Sequence, residues 1–254
     1  MALGYIGKGL ARFLAQPRER YRRGPSSRPE LLAATLRRGD VLLVEGSSRF
    51  SSAIKYLTQS TWSHAALCLG AASAGDEPGF VDVDVNDGVR TVPLSEFSDF
   101  HVRICRPVGL SAGEIDAVAG YMLARLGDSY DLKNVFDLAR YLVRQPPVPD
   151  PLKRRMIALG SGEPTRAICS TLLAQAFGSI RYPILPEIEL HDTTTPGGRR
   201  AVAEILHIRH YSLYTPRDFD VSPFFQVVKP RLQAPFDFRR LVWSDAEAVA
   251  GTPL

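Results

Sequence analysis

A cysteine nucleophile needs a neighbouring base and a thiol held as thiolate, and two segments of this chain offer those two things. His64 lies in Trp62-Ser63-His64-Ala65, which reads as a strand, and 105 residues later Cys169 lies in Ile168-Cys169-Ser170-Thr171, which opens a helix by its spacing. The amino terminus of a helix favours thiolate over thiol, because its dipole and unpaired N–H groups stabilise negative charge. A strand-borne imidazole can accept the thiol proton and return it to a leaving group. The same N–H groups can hold the oxyanion that forms when sulfur attacks a carbonyl.

A catalytic imidazole also needs an acceptor on its second nitrogen, to fix the tautomer and stabilise the imidazolium. The strand after His64 alternates strictly, with Val81, Val83 and Val85 on one face and Asp82, Asp84 and Asn86 on the other. If Gly70 and Phe80 flank the hairpin loop, Asn86 falls opposite His64 and Asp84 diagonal to it, with Asp82 two residues further along that face. Spacing leaves all three open.

Other candidates carry less chemistry. Cys68 and Cys105 lie within apolar strand runs, where cysteine acts as a small buried hydrophobe. His191, His207 and His210 stand in loop-like or mixed sequence, and no Cys/His spacing makes a zinc site, so neither a metal nor a cofactor is expected. No G-x-S-x-G, H-E-x-x-H or Gly-rich phosphate loop is present.

The elements that must position His64 and Cys169 follow from periodicity. Helices are predicted over Glu30 to Leu36, Ser51 to Thr58, Ser111 to Leu126, Leu132 to Val143 and from Cys169 onward. Ser111 and Glu114 form a capping box, and Gly127 ends the helix they open. Strands are predicted over Gly39 to Glu45, His64 to Gly70, Phe80 to Val85, His101 to Arg106, His210 to Tyr214 and Phe225 to Val228. Gln145 to Arg166, rich in proline, is a long loop before the cysteine.

Length and composition allow one substantial core: 254 residues, 45% hydrophobic. No apolar run reaches the roughly 20 residues a membrane span needs. The first residues make a poor secretory signal, and three irregularly spaced cysteines fit a reducing compartment, so the expected location is cytoplasmic. Charge is uneven: residues 1 to 40 carry nine Lys or Arg against three acids, while the rest carries 22 against 24. Leu3, Ile6, Leu10, Phe13 and Leu14 make an apolar stripe opposite Lys8 and Arg12, backed by the cluster from Arg18 to Arg23. Two readings follow: peripheral contact of residues 1–23 with an anionic membrane, or a helix packed on its own domain. The arginines lack interleaved aromatic platforms, which argues against nucleic acid. Gly24 to Pro29 reads as a linker, dividing the chain into an arm and linker (1–36), a folded domain (37–230) and a tail (231–254).

Four segments carry a family resemblance: Arg38-Gly39-Asp40-Val41-Leu42-Leu43, Ser60-Thr61-Trp62-Ser63-His64-Ala65-Ala66-Leu67, Leu126-Gly127-Asp128-Ser129-Tyr130-Asp131 and Ile168-Cys169-Ser170-Thr171-Leu172-Leu173. Over about residues 37 to 230 the chain resembles the permuted papain-like, NlpC-type cysteine hydrolases called YiiX/YebB-like. Histidine before cysteine is the reverse of the papain order, as a circular permutation requires. The resemblance implies an α+β, circularly permuted papain-like fold, with an antiparallel sheet packed against helices. It implies Cys169 as nucleophile, His64 as base and an acid several residues before a Pro-Leu pair. Counting back from Pro93-Leu94 brings Asp84 to that place, although the family usually has the longer glutamate there. Tyr130 corresponds to a tyrosine near the nucleophile, and Ser63, Ser170 and Trp62 flank the reacting pair as expected substrate contacts. Tyr214 to Phe219, with Ser222-Pro223, resembles a carboxy-terminal element of some members. The implied activity is cleavage of an amide or ester bond through a Cys-His-acid triad and a thioacyl-enzyme, on a cell-wall peptide or acyl amide. Two rival readings are a lipid-directed acyl hydrolase or acyltransferase at a membrane surface, and a catalytically silent lipid- or peptide-binding module.

Overall fold

A computed structural model describes residues 24–25, 27–84, 87–128, 168–194, 200–207 and 210–230. Residues 1–23, Asn86, Tyr130, the helix expected over 132–143, the loop 145–166 and the tail 231–254 lie outside the described residues.

The protein is α+β. In chain order the described elements are α1 (Pro29–Thr35), β1 (Val41–Glu45), α2 (Arg49–Thr58), β2 (His64–Gly70), β3 (Gly79–Asp84), β4 (Gly88–Pro93), β5 (His101–Pro107), α3 (Ala112–Leu123), α4 (Ile168–Ser179), β6 (Glu187–Thr194), β7 (Arg200–His207), α5 (Pro216–Val221) and β8 (Phe225–Val228), with 3₁₀ turns at Leu94–Phe97 and Tyr211–Leu213. Six strands form one sheet in the order β4-β3-β2-β1-β5-β8, every neighbour antiparallel, and β6 pairs with β7 in a separate hairpin.

The central strand β1 is apolar at every position from Val41 to Val44 because both of its faces are covered. Val41 and Leu43 join Leu67, Val81 and Cys105 beneath α3 and α4. Leu42 and Val44 join Ala66, Phe80 and Ile104 on the opposite face, where Leu32 of α1 and Leu36 just after it pack. The core therefore takes in residues that composition alone assigns to the arm and linker. Asp40 locks this corner: its carboxylate, almost fully buried, accepts Arg106 Nε and Nη2, each at 2.8 Å, and the Arg37 N–H. Gly39 reaches Asp40 through φ +90°, and a Cβ there would press on Ile115 at 2.9 Å, so only glycine fits.

Three expectations are corrected. Gly88–Pro93, which periodicity does not identify, is an edge strand. Glu187–Thr194 and Arg200–His207 form a hairpin in sequence that reads as loop-like or mixed, which puts His191 and His207 on strands. The strand expected at His210 to Tyr214 is a 3₁₀ turn instead.

Candidate active site

His64 opens β2, paired with Val44. The residue before it sets its entry, since the Ser63 N–H donates to the Val44 carbonyl at 3.1 Å and the Ser63 Oγ accepts the Gly46 N–H at 2.9 Å. Any Cβ at Gly46 would overlap the Ser51 and Ser63 hydroxyls. The imidazole Nε2 stands 2.5 Å from Asp82 Oδ1. Cys169 lies close enough to the ring for its charge to act on the imidazole, so His64 feels both the carboxylate and the sulfur.

Cys169 is the second residue of α4, buried, and its helix packs across β2, β3 and α3 through Leu173, Ala176 and Phe177. The helix start is pinned by the next residue: Ser170 Oγ, fully buried, donates to the Tyr214 carbonyl at 2.8 Å. Behind α4, Phe177, Tyr182, Phe219 and Phe225 form an edge-on aromatic cluster, with Phe225 centred 5.2 Å from Phe177 and 5.4 Å from Phe219.

The acid beside His64 is Asp82, where counting from Pro93-Leu94 points to Asp84. Gly70 pairs with Gly79, one residue short of Phe80, and a β-bulge between Cys68 and Gly70 takes up one more, so that Leu67 stands opposite Val81, two residues from the register the loop suggests. The diagonal relation to His64 holds, but it falls on Asp82. Asp84 lies at the end of β3, half-exposed, with Oδ1 accepting the Asp87 N–H at 3.2 Å. Asp82 is buried, and its second oxygen, Oδ2, accepts Arg90 Nη2 at 3.2 Å and Nε at 3.3 Å from the adjacent strand. Arg90 escapes a reading built on His, Cys and acids, because its strand carries no clear periodicity.

Electrostatics follow from these contacts. Burial alone would lower the pKa of His64; the Cys169 and Asp82 charges outweigh it and raise the imidazole well above 6.5. Burial would raise Asp82, and the His64 and Arg90 charges outweigh it, holding the carboxyl below 3.8. Burial pushes the Cys68 and Cys105 thiols up to about 12, consistent with inert core positions.

Ser63, Ser170 and Trp62, expected as substrate contacts, each hold part of the frame around the site. All three are buried with their polar atoms committed. Trp62 Nε1 donates to Asp220 Oδ2 at 2.9 Å, and Arg103 Nη1 donates to Asp220 Oδ1 at 2.5 Å while its guanidinium lies 5.0 Å from the indole centre. The carboxy-terminal segment thus braces the site, because Tyr214 holds the start of α4 and Asp220 of α5 holds the segment that leads into His64. Leu126-Gly127-Asp128 is a brace as well, since Gly127 N donates to Val89 O at 2.9 Å and Val89 N to Asp128 O at 3.1 Å along the outer edge of β4.

Among the described residues no group of three or more His, Cys, Asp or Glu side chains could hold a metal ion. An apolar cavity of about 420 Å³, lined by Leu32, Leu94, Phe97, Phe100 and Val102 among others, belongs to the opposite face of the sheet and shares no residue with this site.

No curated protein matches the chain. The chain is similar to the crystal structure of metalloprotein yiiX from Escherichia coli O157:H7, at 16% identity and a TM-score of 0.46, over 77% of this chain and 97% of that one. Residues 35–141 match the family described as permuted papain-like amidase enzyme, YaeF/YiiX, C92 family. That stretch runs from the end of α1 through α3 and includes His64, Asp82 and Arg90. Over residues 35–141 this chain is similar to the permuted papain-like amidases of the YaeF/YiiX family.

Proposed function

We propose that the protein is a thiol amidase that cleaves an amide or ester through a thioacyl-enzyme. The observation that carries this reading is the His64 imidazole, hydrogen-bonded to the buried Asp82 carboxylate and close enough to Cys169 to feel its charge. In the first half-reaction His64 takes the thiol proton and the Cys169 sulfur attacks the substrate carbonyl carbon. The tetrahedral oxyanion forms against backbone N–H groups of the first turn of α4, which have no partner within the helix. Collapse breaks the carbonyl bond to nitrogen or oxygen, and His64 hands its proton to the departing amine or alcohol. In the second half, His64 deprotonates a water that attacks the thioester, releasing the acid and restoring the thiol. Asp82 keeps the imidazole oriented and stabilises its charged form throughout.

Substrate choice divides into a cell-wall peptide and an acyl amide or lipid ester. The apolar stripe and arginine cluster of residues 1–23 favour a substrate presented at an anionic membrane surface. An unbiased hydrolysis screen with peptidoglycan fragments, N-acyl amino acids and phospholipids, read by intact mass, tests the reading. An acyl adduct on Cys169 is expected with the true donor, together with loss of turnover in folded Cys169→Ala and His64→Ala. Turnover surviving in Cys169→Ala would sink the proposal.

A further inference from the structure

We infer that Arg90 is a positioning residue for this reaction, holding one oxygen of Asp82 from β4 so that the other is presented to His64. The inference rests on the thiol reading of Cys169 and His64 proposed above. Asp82 and Arg90 are directly opposed in the β3–β4 ladder. Arg90 places Nε at 3.3 Å and Nη2 at 3.2 Å from Oδ2, while Oδ1 lies 2.5 Å from His64 Nε2. A carboxylate bonded through both oxygens, in different directions, cannot rotate without breaking one set of contacts. Aspartate is the shortest carboxylate side chain and cannot reach the imidazole by flexing a longer stem, so its rotation matters more than a glutamate's would.

Arg90 is itself fixed. Nη1 donates to Asp87 Oδ2 at 3.0 Å, and Glu96 Oε1 lies 3.8 Å from Nη2. Its chain neighbour Val89 is bonded on the outer edge by Gly127 and Asp128, so the strand that carries the guanidinium cannot drift from β3. The charged and titratable groups around the pair come from every adjoining element: His64 from β2, Cys169 from α4 beyond it, Asp84 from β3, Asp87 from the β3–β4 turn and Glu96 from the following 3₁₀ turn. Arginine suits this place because its planar fork fixes direction as well as charge.

Cys169 alkylation by iodoacetamide, followed against pH by mass spectrometry with thermal melting in parallel, tests the inference in the full chain. In wild-type protein Cys169 is expected to react faster at pH 6 than the core thiols Cys68 and Cys105. Asp82→Asn sets the scale for loss of the acid. Arg90→Gln is expected to slow Cys169 alkylation at pH 6 about tenfold, because a misaligned Asp82 supports the imidazolium less well. Arg90→Lys keeps the charge but loses the fork, and an intermediate rate, about threefold slower, is expected. Wild-type rates in folded Arg90→Gln, or in Arg90→Lys where the glutamine variant does not fold, overturn the inference even if the melting temperature falls. Wild-type Cys169 reacting no faster than Cys68 and Cys105 overturns the thiol reading itself, and the role of Arg90 with it.

Discussion

Asp82 and Asp84 stand two residues apart on one strand, and their surroundings separate them. Asp84 meets solvent and turns back to the Asp87 N–H at the strand end. Asp82 is removed from water, and its ionised form is preserved by the His64 and Arg90 charges. A buried acceptor held in one orientation strengthens its bond to imidazolium, whereas water screens an exposed one. Asp82→Asn should therefore lower kcat by on the order of 10²- to 10⁴-fold with little change in KM, since the amide can neither stabilise imidazolium nor enforce the tautomer. Asp84→Asn should change kcat by no more than about threefold, as for a half-exposed carboxylate at a strand end. Steady-state kinetics on any substrate found by the screen decides between them, and the reverse ranking would return the orienting role to Asp84.

At the scale of elements, the reacting residues are placed by contacts between segments distant in sequence. β2 and α4 meet across the core, but their ends are set by the carboxy-terminal segment, with Tyr214 at the start of α4 and Asp220 at Trp62. Asp220→Ala leaves a buried indole N–H and the Arg103 guanidinium without their acceptor, at a cost of about 1–3 kcal/mol. The thermal midpoint should fall by about 2–10 °C while activity per folded molecule stays close to wild type. A midpoint unchanged within about 1 °C would remove Asp220 from the frame. These contacts also mark where the sequence stops being legible. Strong alternation at Phe80 to Asp84 and the continuous apolar run of β1 identify strands because burial imposes those patterns. β4 hides its pattern, since Arg90 and Thr91 follow each other and proline closes the strand. Nothing local announces the Gly70–Gly79 pairing or the bulge between Cys68 and Gly70, yet together they decide which aspartate meets His64. The segments Trp62-Ser63-His64 and Cys169-Ser170 could be found from residue type and spacing. That their serines and tryptophan brace the frame depends on partners up to 158 residues away.

The whole molecule combines a core closed on both sheet faces with a basic, amphipathic segment at its amino end. α1 belongs to the core: Leu32 and Leu36 pack against β1 and β5, and Arg106 bonds the Thr35 carbonyl while holding Asp40. A cut made at Arg37 would strip that helix and expose the sheet, so a membrane role for residues 1–23 has to be probed with a chain beginning at Gly24. No helix among the described residues is long and apolar enough to cross a bilayer. Lys8, Arg12, Arg18, Arg20, Arg22 and Arg23 each contribute about 1 kcal/mol near an anionic surface, an attraction that weakens as salt shortens the Debye length. Full-length protein should float with vesicles rich in phosphatidylserine at low salt, float less at about 0.5 M salt, and stay unbound on neutral vesicles. The chain beginning at Gly24 should stay unbound on both while melting at the same temperature. Equal flotation of the two chains would move the lipid contact onto the folded domain. Flotation of neither would leave a peptide or freely diffusing amide as the substrate, because the thiol would then have no means of concentrating at the surface where an acyl lipid lies.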